Sequence, residues 1–246
     1  MLSKAQNKYI RSLSQQKYRK ENNVFIAEGD KIAREWLASD EMVQMIVALK
    51  DWADAHKELI HKHSEASLHL VDEDELKEIS LLQTPNQVLL VVRHMPQFPE
   101  MERKGWCLAL DDIQDPGNMG TVIRIADWFG INEVVCSPNC VDAYNPKVIQ
   151  SAMGSHLRVH IHTADLYDML KHTKLPVFAA ALEGKSAYGA KRLKKGVLVI
   201  GNESKGISEK VMELATEKIT IPRTGGAESL NAAVSAGILC ALLLPH

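Results

Sequence analysis

Three stretches in the second half of this 246-residue chain hold polar side chains of types that do chemistry. "DPGNMGTVIRIADWFGI" carries Asn118 and Arg124, "VLVIGNESKGIS" carries Gly201 and Glu203, and "IPRTGGAESLNAAVSAGI" carries Ser229, Leu230 and Asn231. A cation, a carboxylate, a hydroxyl and two amides can together orient and charge a bound ligand. Each also has a plain role. Arg124 lies off the apolar face made by Met119, Val122, Ile123 and Ala126, as charged residues of amphipathic helices do. Asn118 sits where a helix N-cap belongs, after the turn that Pro116 and Gly117 impose. Ser208 and Ser229 are placed to cap the helices that follow them. Asn231 then falls in the first turn of the closing helix, where asparagine has no helical advantage, so its side chain has another use. Gly201 lets another backbone or a ligand come close. Neither G-x-G-x-x-G nor G-K-S/T occurs, so a nucleotide held in the usual glycine-rich phosphate cradle, and with it a dinucleotide oxidoreductase, is not supported.

The elements that must position these residues are legible as alternating strand and helix patterns. After Trp106, apolar strand candidates "WCLALDDI", "EVVCS", "LRVHIHT", "PVFAAAL", "GVLVIGNE" and "KITIP" alternate with helices over "NMGTVIRIADWFG", "PKVIQSAMG", "DLYDMLKHT", "SEKVMELAT" and the C-terminal stretch. Repeated βα units with apolar strands predict a mostly parallel sheet covered on both faces. Ligands of such sheets gather outside the carboxyl ends of the strands, where all three polar stretches fall. The first third reads as a smaller α/β unit. Ser3 caps a helix over Lys4 to Leu13, and "DKIAREWLAS" puts Ile32, Ala33, Trp36 and Leu37 on one face. Strands are expected at "VFIAEG", "VQMIVA", "ASLHLV" and "QVLLVVR", with helices over "DWADAHKELIHKH" and "DEDELKEIS". The aperiodic, proline-containing "HMPQFPEMERKG" reads as a linker. The expected division is a domain over 1–95, a linker over 96–104 and a second domain over 105–246.

A chain that is 46% hydrophobic can build a buried core. No apolar run approaches a bilayer span, and the N-terminus has no apolar signal segment, so an intracellular, cytoplasmic protein is expected. Cys107, Cys136, Cys140 and Cys240 show no zinc spacing; four buried thiols and no metal site are expected. The formal net charge of −2 hides two acid-free basic runs. One holds Lys4, Lys8, Arg11, Lys17, Arg19 and Lys20; the other, "KSAYGAKRLKKG", holds Lys185, Lys191, Arg192, Lys194 and Lys195. They are either solvated faces or places of anionic contact.

As a set and in this order, the three polar stretches resemble the signature motifs of the SpoU, or TrmH-type, RNA ribose 2′-O-methyltransferases of the SPOUT superfamily. The resemblance runs from Trp106 to about Leu243. "KYRKENNVFIAEGDKIAREWL" is similar, more loosely, to the start of that family's ribosomal-protein-like RNA-binding domain. Arg223, Ser204 and Glu228 depart from the commonest motif forms, and none removes a key polar residue. The resemblance implies an α/β fold in which the C-terminal chain passes through a loop to form a deep trefoil knot, with Ala232, Ala233, Ser235, Ala236 and Gly237 letting the last helix sit close to neighbouring backbone.

The resemblance further implies S-adenosylmethionine as methyl donor, contacted at Gly201, Ile221 and Leu230, with Ala180, Leu182 and Glu203 nearby. The acceptor is then a ribose 2′-hydroxyl, a poor nucleophile that needs alignment and help with its developing charge. Arg124 is the expected catalytic cation, with Asn118, Glu203, Ser229 and Asn231 orienting it and the ribose. A homodimer is implied, with each active site near the subunit interface, and RNA is the expected partner, with Lys17, Arg19 and Lys20 as contacts. Two alternatives stay open on the residues alone: a base-modifying methyltransferase of the same superfamily, and a non-catalytic RNA-binding protein of the same fold. Transfer RNA and ribosomal RNA are equally compatible.

Overall fold

The computed structural model describes residues 2–82, 84–95 and 105–245. The expected linker, residues 96–104, lies outside the described residues. The chain divides into two compact units, Met1–Pro96 with Tyr144–Leu157, and Gln97–Ala143 with Arg158–His246.

The first unit is built on strands β1 (Val24–Glu28), β2 (Val43–Leu49), β3 (Ser67–Val71) and β4 (Val88–Arg93), in the order β1-β4-β2-β3. β4 runs antiparallel to both of its neighbours, while β2 and β3 are parallel. Alternate residues of the strands feed two cores. Phe25, Ile46 and Leu90 point to one, with Trp36 and Leu37 of the Asp30–Ala38 helix; Ile26, Val47 and Leu89 point to the other, with Ile10, Leu76 and Ile79. The predicted face Ile32, Ala33, Trp36 and Leu37 is the buried one. The Lys4–Ser12 helix opens with a reciprocal box between Ser3 and Gln6, and Glu73–Ile79 with one between Asp72 and Glu75, each satisfying otherwise unpaired first-turn amides. The helix predicted over "DWADAHKELIHKH" is broken into Lys50–Ala55 and Lys57–His61 at His56, whose ψ of 28° leaves the helical region.

Residues Tyr144–Leu157 group with this unit rather than with the strands they lie between in sequence. Their Pro146–Ala152 helix sets Ile149 into the Phe25–Trp36 core, and the Tyr144 ring stacks on His94 with centroids 4.2 Å apart.

A helix that the sequence pattern did not predict, Gln16–Asn22, ends at Asn23 in the left-handed region (φ 54°). It carries a correction. Arg19, expected among the RNA contacts, is only 1% exposed, and its Nη1 donates to the carbonyls of Leu13 and Ser14, each at 2.8 Å. Its guanidinium closes the turn between two helices and is removed from the RNA-facing set. Lys17 and Lys20 remain exposed, Lys17 at 3.8 Å from Glu21.

The second unit holds β5 (Trp106–Asp111), β6 (Glu133–Cys136), β7 (His160–Thr163), β8 (Val177–Ser186), β9 (Gly196–Gly201) and β10 (Glu217–Thr220), in the order β10-β8-β9-β5-β6-β7 with every pairing parallel. On one face Ala109, Val197 and Val199 pack with Met169, Leu170 and Val211 of the covering helices. The alternate residues Leu108, Leu110, Leu198 and Ile200 are buried as well, so both faces are covered there, which is why the central strands β5 and β9 are apolar almost throughout. The helix expected over "SEKVMELAT" is a single turn, Glu209–Met212. The closing helix, Ala232–Leu243, packs on the Pro116–Trp128 helix and on β9. Its close approaches fall on the buried Ala232, Ala233 and Ala236; a Cβ added at Gly237 would meet Ile125 at an ordinary 3.5 Å. The chain winds outward through β5, β6 and β7, then crosses back to β8, so the strand order reverses beside β5. In open α/β sheets such a reversal is where a ligand crevice is expected, here at the carboxyl ends of β5 and β9.

Candidate functional site

β5 and β9 end in register, Asp111 opposite Gly201, so the loops that follow run side by side. The second loop is braced by its own polar groups. Asn202 Nδ2 donates to the Asp112 carbonyl at 2.8 Å, while its Oδ1 accepts the amides of Ser204 and Lys205 at 2.9 and 3.0 Å. Asn202 and Gly206 exchange backbone bonds of 3.0 and 2.9 Å. Asp111, largely buried, accepts both the amide and the hydroxyl of Ser208, at 2.8 and 2.7 Å. The Ser208 side chain therefore braces the loop and does not cap the helix after it. This folding explains Gly201: a Cβ there would lie 2.4 Å from the Gly206 carbonyl carbon. The close approach is by the loop's own backbone.

Both expected caps shift by a few residues. The Pro116–Trp128 helix is capped by Asp115, whose Oδ1 accepts the Asn118 amide at 2.8 Å; proline takes the first helical position, where its missing N–H costs nothing. Asn118 is thus in the first turn with its side chain released. The closing helix is capped by Asn231, whose Oδ1 accepts the amides of Ala233 and Val234 at 2.9 and 3.1 Å. Ser229 lies before the helix, exposed, and does not cap it.

The released groups meet. Because Asn231 Oδ1 is held by the helix amides, its Nδ2 points away from them, and it donates to Asn118 Oδ1 at 2.8 Å. Asn118 Nδ2 in turn donates to Glu203 Oε1 at 2.5 Å. A single polar chain, Glu203–Asn118–Asn231, joins the loops after β9, β5 and β10 and ends on the N-terminal amides of the closing helix. Its polarity sets the orientation of both amides, since each must accept on one side and donate on the other.

Arg124 is not part of this chain. It lies six residues beyond Asn118 on the same helix, about 9 Å along the axis. It is exposed, and its side chain makes no hydrogen bond or ion pair with another described residue. Among the expected catalytic residues, the fold therefore brings Asn118, Glu203 and Asn231 into contact and leaves Arg124 and Ser229 apart from them.

Of the expected cofactor residues, Ala180 and Leu182 lie within β8, Ile221 directly follows β10, Leu230 stands just before the closing helix and Gly201 ends β9. Opposite Lys218 stands Ala179, but opposite Ile219 stands Lys185, so residues 180–184 leave the pairing as an excursion. Ala180 and Leu182 lie in it, and the Leu182 carbonyl is held by Thr220 Oγ1 at 3.0 Å. Leu182 is 75% exposed and Leu230 48%, while Ile221 is half-buried. Large apolar side chains left in water beside unpaired strand backbone fit a ligand recognised by apolar surface and main-chain groups, the character expected for S-adenosylmethionine. Glu203 belongs to the polar chain.

Asn202, Asp111 and Asp115 were not singled out from the sequence. Asp-Pro three residues before Asn118 is a legible cap signal; nothing local marks Asp111, whose partner Ser208 lies 97 residues on, and Asn202 is held both within its own loop and by the distant Asp112 carbonyl. Of the four cysteines expected to be buried, Cys140 is half-buried. Its hydrogen bond with Cys136, with smaller help from Ser137, pulls its thiol down to about 7 against the opposing effect of burial.

Comparison with known proteins points to one family. The SpoU rRNA Methylase family model matches residues 105–241, and the MRM3-like substrate binding domain model matches residues 4–90. The chain is 32% identical over 233 residues to the 23S rRNA (guanosine(2553)-2'-O)-methyltransferase RlmP of Bacillus subtilis, covering 93% of this chain and 92% of that one. It is 27% identical over 288 residues to the mitochondrial rRNA methyltransferase 3A of Danio rerio, covering 90% of this chain and 64% of that one. The solved structure of an AdoMet-bound rRNA methyltransferase from Sinorhizobium meliloti superposes with a TM-score of 0.88 at 26% identity, over 98% of this chain and 95% of that one.

Proposed function

The chain belongs to the SpoU rRNA methylase family, and on that premise we propose that it transfers the methyl group of S-adenosylmethionine to a ribose 2′-hydroxyl of ribosomal RNA. The observation that carries this reading is the Glu203–Asn118–Asn231 chain, which locks three separate loops around one crevice. The bound methyl donor supplies an electrophilic methyl on a positively charged sulfur. Ile221, Leu230 and Leu182 offer it apolar walls, and residues 180–184 offer main-chain groups not used in strand pairing.

Arg124 acts on the acceptor. A guanidinium stays protonated at any physiological pH, so its contribution is a fixed positive charge that favours alkoxide character on the 2′-oxygen. Its lack of a partner within the described chain leaves its donors available for substrate. Asn118, Glu203 and Asn231 hold the crevice rigid, so that the acceptor meets the methyl in line without reorganisation. Ser229, exposed beside Leu230, is a further contact for the ribose.

The same proposal includes a homodimer with each site near the subunit interface, a cytoplasmic location, and RNA contacts by Lys17 and Lys20 of the first unit. No helix among the described residues is long and apolar enough to cross a membrane. The trefoil knot also belongs to it. The loop between β8 and β9 supports a threaded end, since Leu193 N donates to the Leu243 carbonyl at 3.1 Å and Arg192 Nη1 to that of Leu244 at 3.4 Å.

The test is methylation of deproteinised ribosomal RNA with labelled S-adenosylmethionine, followed by alkaline digestion. Label in alkali-resistant dinucleotides is the expected result, because a methylated 2′-oxygen cannot assist cleavage. Label on base fractions alone, or no transfer to any RNA, overturns the reading.

A further inference from the structure

The second basic run has no role in the catalysis just described. We propose that the loop 187–195 is a docking track for single-stranded RNA flanking the methylated nucleotide, with Tyr188 as a stacking platform and Lys191, Lys194 and Lys195 as phosphate contacts. This rests on the RNA-methyltransferase reading and extends it to a surface outside the crevice.

The backbone of the loop is held from within. Ala187, buried, donates its amide to the Thr220 carbonyl at 2.9 Å, and the Ala190 amide bonds back to Ala187 at 3.2 Å. At the far end the Leu193 amide bonds to Leu243 at 3.1 Å, and its carbonyl accepts Trp106 Nε1 at 2.8 Å. With the main chain tied to β10, the closing helix and β5, what remains outward is a set of side chains. Tyr188 is 62% exposed, and Lys191, Lys194 and Lys195 are exposed. None of the three lysines forms an ion pair with another described residue. Their basic neighbours differ: Lys185 pairs with Glu217 at 2.9 Å, and Arg192 bonds the Leu244 carbonyl. Three uncompensated positive charges on an anchored loop, in a chain of net charge −2, are a local anion-binding surface.

The placement ties this surface to the crevice. Thr220, which holds the Ala187 amide, also holds the Leu182 carbonyl and precedes Ile221, so Tyr188 starts beside the expected methyl-donor walls. The loop then runs to Trp106, the first residue of β5, at the amino ends of the strands, about 20 Å from the carboxyl ends for a six-residue strand. An aromatic ring followed by spaced lysines is how single strands are held: a base stacks on the ring while the backbone follows the charges. Unstacked bases are accessible in single-stranded RNA and not in a duplex, which favours a flanking single strand over a helix.

The experiment measures binding of the full chain to a fluorescent 20-nucleotide oligouridine across a salt series, with phosphatidylglycerol vesicles as a second anionic probe. For Lys191→Gln/Lys194→Gln/Lys195→Gln, the slope of log K against log salt is expected to fall by about 2, at roughly 0.7 per phosphate contact. The three single variants, each lowering it by about 0.7, keep the test decisive if the triple variant folds poorly. Tyr188→Ala is expected to weaken binding about 10-fold, and Tyr188→Phe to restore it, because stacking needs the ring and not the hydroxyl. Wild-type affinity and slope in the lysine variants, no loss in Tyr188→Ala, or a loss confined to the vesicles overturns the proposal. Thermal stabilisation by S-adenosylmethionine, measured on every variant, reports on the methyltransferase reading alone. Its absence from the wild-type protein sinks that reading without touching the RNA-binding result.

Discussion

Arg19 and Arg124 each lie on a helix, and the fold treats them oppositely. Arg19 is buried, with Nη1 bridging two backbone carbonyls where one helix gives way to the next. Arg124 is exposed, with no partner among the described residues, on the helix that carries Asn118 into the crevice. A buried guanidinium must have its donors satisfied or it destabilises the fold. An exposed one whose side chain has no partner among the described residues is available to act on a ligand. The first is architecture, the second is available for chemistry, and single substitutions separate the two.

The largest expected effect is in rate. Arg124→Ala should lower methyl transfer by about 10²–10³, the usual loss for one preorganised charged donor, while leaving the thermal midpoint and S-adenosylmethionine binding unchanged. Near-wild-type turnover would place Arg124 with the ordinary surface arginines. Arg19→Ala should do the reverse. Leaving the buried Leu13 carbonyl and the partly buried Ser14 carbonyl without their donor should cost about 1–3 kcal/mol in a urea titration, with turnover per folded molecule retained.

Asn231 joins both classes, and two variants divide its roles. Asn231→Asp keeps an acceptor for the Ala233 and Val234 amides but has no donor for Asn118. Stability within about 0.5 kcal/mol of wild type is expected, with turnover at least 10-fold lower. Asn231→Ala should also lose about 1 kcal/mol as a missing cap, whereas Ser229→Ala should lose none. A stability loss in Ser229→Ala would restore it as a cap. The smallest effect is at the surface. Lys17→Glu/Lys20→Glu should weaken RNA binding a few-fold at low salt and converge with wild type at high salt, without changing the thermal midpoint. An unchanged affinity at every salt concentration would remove the first basic run from RNA binding altogether.

Much of this was legible in the residues. The apolar alternation of strands and helices set out most of the elements and the parallel sheet, and the faces Ile32–Leu37 and Met119–Ala126 are the buried ones. The residue types of the three polar stretches marked the crevice and excluded a glycine phosphate cradle. These signals are local: period, capping types and turn residues act over a few positions, and one chain displays them directly.

What tertiary structure decided is non-local. Asn118 meets Glu203 across 85 residues and Asn231 across 113, pairings created by the reversal in strand order. The caps themselves are local, each reaching only two or three residues along the chain. Asp115 and Asn231 hold the helix amides, so Asn118 and Glu203 are free to meet, a choice that no single segment expresses. Burial of Arg19, the 180–184 excursion and the grouping of Tyr144–Leu157 with the first unit likewise depend on what packs against each segment. The sequence alone determined which groups are present and which elements carry them; three-dimensional packing decided which of those groups are satisfied internally and which are left to meet a ligand.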